Sequence, residues 1–206
     1  MDWVASFYAR QHAWVAAAGI DDVATAADRV AALRSFVRPP ARVLELGAGN
    51  GVTATALARA GYGVVAVELL PEAIADARDA ARDVPGGALD IRVGDMYAIE
   101  IDGTFDAVAY WDGFGIGSDA DQRRLLRRVA DWLAPDGVAV VDAFTPWYWA
   151  DAAGREMAVG PARRRYGFDP VGCRMLDAWW DAGEPETAVA QSLRCYSPAD
   201  LELLIE

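Results

Sequence analysis

Apolar residues in the first part of the chain recur at the spacing of two amphipathic helices. The first helix is predicted to begin at Asp2, a candidate N-cap, and to stop at Gly19. The second can be capped by Asp21 or Asp22 and ends before Pro39-Pro40, because proline interrupts helical hydrogen bonding. The apolar positions of the first helix are Trp3, Val4, Phe7, Trp14, Val15 and Ala18.

Beyond the prolines, short runs of consecutive apolar residues alternate with longer helical segments. Such runs are typical of parallel strands that are buried on both faces and joined by helical crossovers. The pattern therefore predicts an α/β fold with a doubly wound, mostly parallel sheet and helices on both faces. The predicted strands are 43–46, 63–67, 91–93, 107–110 and 138–144, and the helices between them are 52–60, 71–83 and 121–133.

The regular alternation stops after Thr145. A segment rich in aromatic residues and arginine runs from there to about Tyr196, and its spacing is not regular enough to assign strands. Ser197 and Pro198 then predict a last helix, because a serine cap followed by proline is typical of a first helical turn.

Composition and charge narrow the classes of function. A chain of 206 residues with 54% apolar residues can bury one sizeable core, so a single domain is expected. The 31 acidic residues outnumber 19 basic ones, and the net charge of −12 argues against a nucleic-acid partner. All basic residues are arginine, which excludes a catalytic lysine and a phosphate-binding loop with lysine.

The cysteines and the N-terminus bear on the compartment. Cys173 and Cys195 are too few for a disulfide framework and suggest no metal site, so free thiols in a reducing environment are expected. The chain has no run of 18 apolar residues, and its start, Met1-Asp2-Trp3, lacks the basic residues and apolar run that are typical of a signal peptide. We therefore expect a cytoplasmic protein with no membrane partner.

A glycine-rich turn follows the first predicted strand. Gly47, Gly49 and Gly51 let the backbone approach a ligand closely and direct N–H groups towards it. A dinucleotide fingerprint would have its third glycine one residue later. Glu45 precedes the turn, where an acid would repel a pyrophosphate but suits an ammonium group. Glu68 ends the second strand, where a carboxylate can accept hydrogen bonds from ribose hydroxyls.

These motifs resemble those of the class I S-adenosylmethionine-dependent methyltransferases of the small-molecule type. The resemblance covers about residues 40–145 and begins with the acid and three glycines already named. It continues through the acid Glu68, then Asp95 after the third strand, and a fourth-strand motif that leads to Asp112. Four motifs in this order at family spacing make the resemblance specific. It implies a Rossmann-like fold.

The resemblance also implies which residues bind S-adenosylmethionine. The glycine loop would pack on the methionine part and the ribose, Glu68 would bind the ribose hydroxyls, and Asp95 would hold the adenine amino group. Asp95 could alternatively be only a turn residue, and Glu45 only a capping acid. The expected cofactor-binding residues are Glu45, Gly47, Ala48, Gly49, Gly51, Glu68, Leu69, Asp95, Met96 and Trp111.

Candidates for the acceptor side follow the fourth strand and lie on the first helix. Asp112 could act as a base or orient the acceptor, although Asp-Gly is also a common turn. His12 is the sole histidine and a candidate general base near neutral pH, or simply a surface residue. Tyr8 lies four residues before it on the same face. The expected substrate residues, for a small aromatic or apolar molecule, are Tyr110, Phe114, Trp147 and Trp149.

Three regions are expected within the single domain. Residues 1–38 would form a helical lid, 39–145 the cofactor-binding core, and 146–206 a substrate-side insert with the start of the last helix. Family members usually continue with two more strands, so we expect a chain truncated at its C-terminal end. The missing strands could instead come from another chain or from the insert, and a homodimer is left open.

The first hypothesis is an enzyme of specialised metabolism that methylates O, N or C of a small molecule. The second keeps cofactor binding without methyl transfer, as in a structural role or a partner subunit. A nicotinamide-dependent oxidoreductase is a weaker third, because the position of the third glycine and Glu45 disfavour it. Release of S-adenosylhomocysteine would separate the first two.

Overall fold

The computed structural model describes residues 2–20 and 22–206. The predicted cap at Asp21 lies outside the described residues, and so does the side chain of Asp2. The chain divides into two compact units. The parallel-sheet unit comprises Asp21–Trp111 and Arg124–Val141, and the antiparallel-sheet unit comprises Met1–Ile20, Asp112–Arg123 and Asp142–Glu206.

Helices and strands follow one another along the whole described chain. In order they are α1 (Asp2–Ala17), α2 (Val23–Arg34), β1 (Arg42–Leu46), α3 (Val52–Arg59), β2 (Gly63–Glu68), α4 (Pro71–Ala80), β3 (Leu89–Val93), β4 (Phe105–Phe114), α5 (Asp119–Trp132), β5 (Leu133–Ala143), α6 (Pro146–Ala152), β6 (Glu156–Val159), β7 (Ala162–Asp169), β8 (Arg174–Asp181), β9 (Glu184–Arg194) and α7 (Pro198–Ile205).

The first sheet confirms the predicted α/β fold. Its five strands lie in the order β3-β2-β1-β4-β5. Strand β1 runs parallel to both β2 and β4, and β2 runs parallel to β3. The chain leaves β1 towards one side for β2 and returns to its other side with β4. The carboxyl edge beside β1 is therefore the topological switch point where open α/β sheets bind ligands.

The core of this unit comes from the apolar runs that predicted the strands. Four of the five residues of β1 are buried. Helix α2 packs on this core through Leu33, which is fully buried, and α5 buries the predicted positions Leu125, Val129 and Trp132. Leu44, Leu46 and Val43 on β1 are also inaccessible to solvent, as expected for a strand with neighbours on both sides.

Two strand boundaries differ most from the sequence prediction. Strand β4 runs to Phe114 instead of ending at Tyr110, so Trp111, Asp112 and Phe114 lie on the strand rather than after it. The Asp112-Gly113 pair indicated a turn, but Asp112 takes a left-handed backbone, φ 56°, within the strand. Aspartate tolerates this conformation better than most residues. Strand β5 begins at Leu133, five residues before the predicted start.

The second sheet was not predicted. Residues 156–194 form four antiparallel strands in the order β6-β7-β8-β9. Along β8 the buried residues alternate, but they are Met175, Asp177 and Trp179. A charged residue at the centre of the buried face interrupts the apolar alternation by which strands are recognised. The aromatic and arginine-rich segment therefore did not indicate strands.

Helix α1 packs on the second sheet. Phe7 and Trp14 are buried against Ala162 and Trp179, and the two tryptophan rings stack with centroids 6.0 Å apart. Gly19 ends the helix as predicted, with a left-handed φ of 62° and its N–H donating to the Ala16 carbonyl oxygen. The two helices of the predicted lid thus belong to different units, α1 to the antiparallel-sheet unit and α2 to the parallel-sheet unit.

The last helix confirms the predicted cap. The Ser197 side chain accepts a hydrogen bond from the Asp200 backbone N–H, and the Asp200 carboxylate accepts one from the Ser197 N–H. This reciprocal pair satisfies two backbone donors at the helix start. Across the described residues, no helix combines the length and apolarity needed to cross a membrane.

Candidate functional site

The glycine loop between β1 and α3 depends on its lack of side chains. Gly47, Gly49 and Gly51 all have positive φ, at 63°, 54° and 72°. A Cβ on Gly51 would collide with Ala77 of α4, and a Cβ on Gly47 would lie 3.3 Å from the ring of Tyr110. The loop therefore stays open only with glycine at these positions.

Glu68 supports the loop from the end of β2. Its Oε2 accepts a hydrogen bond from the Gly49 N–H at 2.8 Å, and its Oε1 accepts one from the Leu70 N–H at 2.9 Å. The side chain is therefore held in one orientation. Each carboxylate oxygen has a second lone pair, so Glu68 can still accept hydrogen bonds from a ligand.

Glu45 is a buried acid at the base of the loop. It is 1% exposed, and its Oε2 has no hydrogen-bond partner among the described residues. Burial raises the pKa of this carboxyl group to about 8, although Arg29 acts in the opposite direction, and Glu68 adds to the rise. A buried acceptor without a partner is costly in a folded protein and is typical of a ligand site.

Arg29, which no sequence motif indicated, lies on α2 near this acid. Its Nη1 donates to the Thr53 hydroxyl oxygen at 3.2 Å, and its guanidinium lies over the Trp111 ring at 5.6 Å. The indole Nε1 of Trp111 is a second buried polar atom without a partner in the described part of the chain. Local sequence contains no signal for this group, because α2 and β4 are far apart along the chain.

The strand register brings several predicted cofactor residues to one edge. Leu46 of β1 pairs with Val67 of β2 and with Tyr110 of β4. The glycine loop and Glu68 therefore follow or end neighbouring strands at the switch point, and Trp111 lies on β4 one residue beyond the Tyr110 position that pairs with Leu46. Ala48 belongs to the same arrangement, since its N–H donates to the Val67 carbonyl oxygen.

Asp95, Met96 and Leu69 lie beyond the ends of β2 and β3. Asp95 is exposed, and its Oδ1 accepts a hydrogen bond from the Tyr97 N–H, as in an Asx turn. Met96 is half-buried, with its terminal methyl 3.8 Å from a Cβ built on Gly47, and Leu69 is 37% exposed. Asp95 thus makes the turn considered as its alternative role, and its part in adenine binding stays a prediction.

The predicted acceptor-side residues fall mainly in the antiparallel-sheet unit. Phe114 is buried against the Tyr196 ring, with centroids 5.4 Å apart. Trp149 packs edge-on to the Tyr166 ring at 4.9 Å, whereas Trp147 is 59% exposed. The structure therefore separates the two tryptophans that the sequence grouped. Tyr110, the fourth predicted substrate residue, belongs to the parallel-sheet unit and covers the glycine loop.

The three predicted catalytic residues also belong to the antiparallel-sheet unit. Tyr8 and His12 lie on α1, and both are half-buried. The Tyr8 hydroxyl donates to Gln191 Oε1 at 2.9 Å. Asp112 has the strained backbone described above, a feature that recurs at functional sites. Among the described residues, no cluster of three or more histidines, cysteines or acids could hold a metal ion.

Comparison with known proteins agrees with this geometry. Residues 43–137 match the family described as methyltransferase domain. The cypemycin N-terminal methyltransferase of a Streptomyces species is 33% identical over 119 residues, which are 57% of this chain and 47% of that protein. The chain therefore matches about half the length of this curated relative.

Solved structures share the fold over most of the chain. The CcbJ methyltransferase from Streptomyces caelestis superposes with a TM-score of 0.71 at 24% identity, covering 86% of this chain and 76% of that one. CalS10 from Micromonospora echinaspora, an amino pentose methyltransferase with bound S-adenosylmethionine, gives 0.63 at 24% identity, covering 91% and 83%. The segment 43–137, which contains the glycine loop and Glu68, therefore matches a methyltransferase domain, and the chain shares the fold of these solved methyltransferases.

Proposed function

We propose that this protein transfers a methyl group from S-adenosylmethionine to a nitrogen atom of a small molecule. The observation that carries the proposal is the buried Oε2 of Glu45, which lacks a partner beside a glycine loop that belongs to a methyltransferase domain. An acid at this place favours a ligand with a positive charge, and the cofactor carries both an ammonium and a sulfonium group.

The residues present fit this cofactor. Glu45 offers an unpartnered acceptor for the ammonium group, and Trp111 Nε1 an unpartnered donor. Arg29 supplies a positive charge at the same end, suited to the carboxylate of the methionine part. Glu68 retains lone pairs for the ribose hydroxyls. Asp95, Met96 and Leu69 would surround the adenine, and Gly47–Gly51 with Ala48 would contact the methionine part and the ribose.

When bound, the cofactor supplies a methyl group on a sulfonium sulfur, a reactive carbon with a good leaving group. In such a transfer the lone pair of the acceptor nitrogen would form the new C–N bond, and the C–S bond would break with its electron pair left on sulfur. Much of the acceleration can come from holding nitrogen and methyl group in line. A base is needed only where the nitrogen is protonated before attack or loses a proton afterwards.

The names of similar proteins favour nitrogen as the acceptor atom. The curated relative is an N-terminal methyltransferase, and CalS10 is an amino pentose methyltransferase. The net charge of −12 also suits a cationic amine. We infer a small, aromatic or apolar amine, with Tyr110, Phe114, Trp147 and Trp149 as the substrate side. The calicheamicin pathway of CalS10 supports a role in specialised metabolism, and two free cysteines suit the cytoplasm.

Asp112, His12 and Tyr8 are the proposed acceptor-side groups. Asp112 or His12 would take the proton of the amine, and Tyr8 would contact the nitrogen. Asp112→Asn keeps a residue that tolerates the left-handed backbone and removes the base, so it separates chemistry from strain. His12→Gln with unchanged turnover would remove histidine from the mechanism, and turnover unchanged in both variants would leave the reaction without a protein base.

The test of function is release of S-adenosylhomocysteine. We expect the purified protein to release it with a panel of small aryl and alkyl amines but not with the matching alcohols, as measured by mass spectrometry. Glu68→Gln should weaken cofactor binding in calorimetry, whereas Glu202→Gln, at an exposed position of α7, should match the wild type. Cofactor binding without release with any amine would contradict the proposal and favour the non-methylating alternative.

A further inference from the structure

A series of hydrogen-bonded polar groups, in which Asp177 and Gln191 are buried, runs through the second sheet to the Tyr8 hydroxyl. Asp177 of β8 is fully buried, and Arg164 of β7 pairs with both of its oxygens, from Nε at 3.1 Å and from Nη2 at 2.6 Å. Trp179 Nε1 donates to the same carboxylate at 2.8 Å, and Gln191 Nε2 donates at 3.0 Å. Gln191 Oε1 then accepts the Tyr8 hydroxyl proton.

The direction of each hydrogen bond in this chain follows from chemistry. An ionised carboxylate only accepts, and guanidinium and indole N–H groups only donate. Gln191 must therefore turn its NH₂ group towards Asp177 and its carbonyl oxygen towards Tyr8. Since that oxygen only accepts, the Tyr8 hydroxyl has to donate to it. Towards any other group the Tyr8 oxygen can present only lone pairs.

From this geometry we infer that Asp177 and Arg164, acting through Gln191, hold Tyr8 as a hydrogen-bond acceptor that positions an N–H group of the methyl acceptor. Arg164, Asp177 and Gln191 are thus positioning residues, and Tyr8 is the group that contacts the substrate. The inference rests on the proposed function, and it requires the substrate to carry an N–H group at the nitrogen that is methylated.

The direction of the bond matters for methyl transfer to nitrogen. A hydroxyl that donated to the amine would occupy the lone pair that has to attack the methyl carbon. A hydroxyl that accepts from an N–H leaves this lone pair unoccupied and fixes its direction. A fixed acceptor also disfavours molecules that offer only lone pairs at this position, because two acceptors cannot share a hydrogen bond.

The hydrogen-bond chain can be tested in the free protein by the exchange rate of tyrosine hydroxyl protons in NMR. We expect slow exchange at Tyr8 in the wild type and faster exchange in Gln191→Met, which removes the acceptor but leaves the Asp177–Arg164 pair. Tyr148 is 55% exposed and should exchange fast in both proteins. Exchange at Tyr8 as fast as at Tyr148 in the wild type would overturn the inference.

Substrate selection can be tested with N-methylaniline and anisole, which differ by NH against O and are both uncharged at pH 8. With S-adenosylhomocysteine present, we expect the wild type to bind N-methylaniline roughly fivefold more tightly. Tyr8→Phe and Gln191→Met should both lose this preference, and Tyr148→Phe should retain it. A cooperative thermal unfolding transition shows that a variant folds. If Gln191→Met does not fold, Gln191→Leu replaces it, and if Tyr8→Phe does not fold, Tyr8→Leu replaces it.

The outcomes separate this inference from the proposed function. Binding of neither probe, a preference for anisole, or a preference for N-methylaniline that survives in Gln191→Met would overturn it. Slow hydroxyl exchange together with the expected preference would support it, even if no amine yields S-adenosylhomocysteine. A failure of every amine to yield S-adenosylhomocysteine would contradict the proposed methyl transfer, but it would not contradict the role of Tyr8 in binding.

Discussion

The carboxyl group of Glu45 is enclosed by the folded chain. Its pKa, ordinarily 4.5, is thereby raised to about 8. The main cause is loss of water around the charged form, which outweighs the attraction of Arg29. Between these two pH values the folded protein holds this proton more tightly than the unfolded chain does. Stability from this group is therefore fully present below about pH 4.5 and is lost as pH rises through about 8.

For Glu45→Gln we expect the free energy of unfolding to fall less from pH 5 to pH 9 than in the wild type. The difference should reach on the order of a few kcal/mol above pH 8, because the amide stays neutral where the buried carboxylate ionises. Urea unfolding across this pH range measures it. Glu202→Gln is the control and should follow the wild-type profile. A Glu45→Gln curve parallel to that of the wild type would show that Glu45 is not buried in its neutral form.

Among the elements, the β1–α3 turn combines two separate demands on glycine. One is the left-handed backbone, which all three glycines adopt. The other is space, because α4 comes so close that Ala77 meets any side chain at position 51. Gly87, in the turn before β3, has a similar φ of 83° but nothing within 4 Å of a built Cβ. A substitution at Gly87 therefore tests the cost of the left-handed backbone alone, whereas one at Gly51 adds the steric clash with Ala77.

Gly87→Ala should destabilise the protein by about 1–2 kcal/mol, the cost of a left-handed residue with a Cβ. Gly51→Ala should cost at least about 1 kcal/mol more, because α4 has to move, and it should also weaken S-adenosylmethionine binding. Denaturant unfolding and calorimetry measure the two effects. Equal losses of stability at the two sites would mean that α4 yields without cost.

Over the whole molecule, the net charge of −12 creates a field that attracts cations. The cofactor carries one more positive charge than S-adenosylhomocysteine, because the sulfonium becomes a neutral thioether. The binding affinities of S-adenosylmethionine and S-adenosylhomocysteine should therefore depend differently on salt concentration.

Raising sodium chloride from 20 to 500 mM should weaken binding of S-adenosylmethionine by about two- to threefold more than binding of S-adenosylhomocysteine, since salt screens the attraction of the extra charge. Titration calorimetry at both salt concentrations measures the ratio. An equal loss of affinity for the two ligands would show that the acidic surface does not act on the sulfonium group.

Much of the parallel-sheet unit could be predicted from sequence, because its signals are local. Each strand contains a short, mainly apolar run, and Glu45, the glycines and Glu68 lie near strand ends or just after them. The cap of α7 and the end of α1 at Gly19 are equally local, since both depend on residues within one helical turn.

The second sheet and the polar chain behind Tyr8 could not be predicted in this way. Asp177 stands on a buried face because Arg164 and Gln191 compensate its burial, and such compensation leaves no periodic pattern. Tyr8 and Gln191 are 183 residues apart.

The amino-acid sequence by itself determined the α/β core, its glycine loop and the acids around it, because short-range spacing encodes them. Only the tertiary structure decided that Arg29 faces Glu45 and Trp111 and that Gln191 orients Tyr8. These contacts join distant segments, and their energies depend on desolvation, which arises only when the chain has folded.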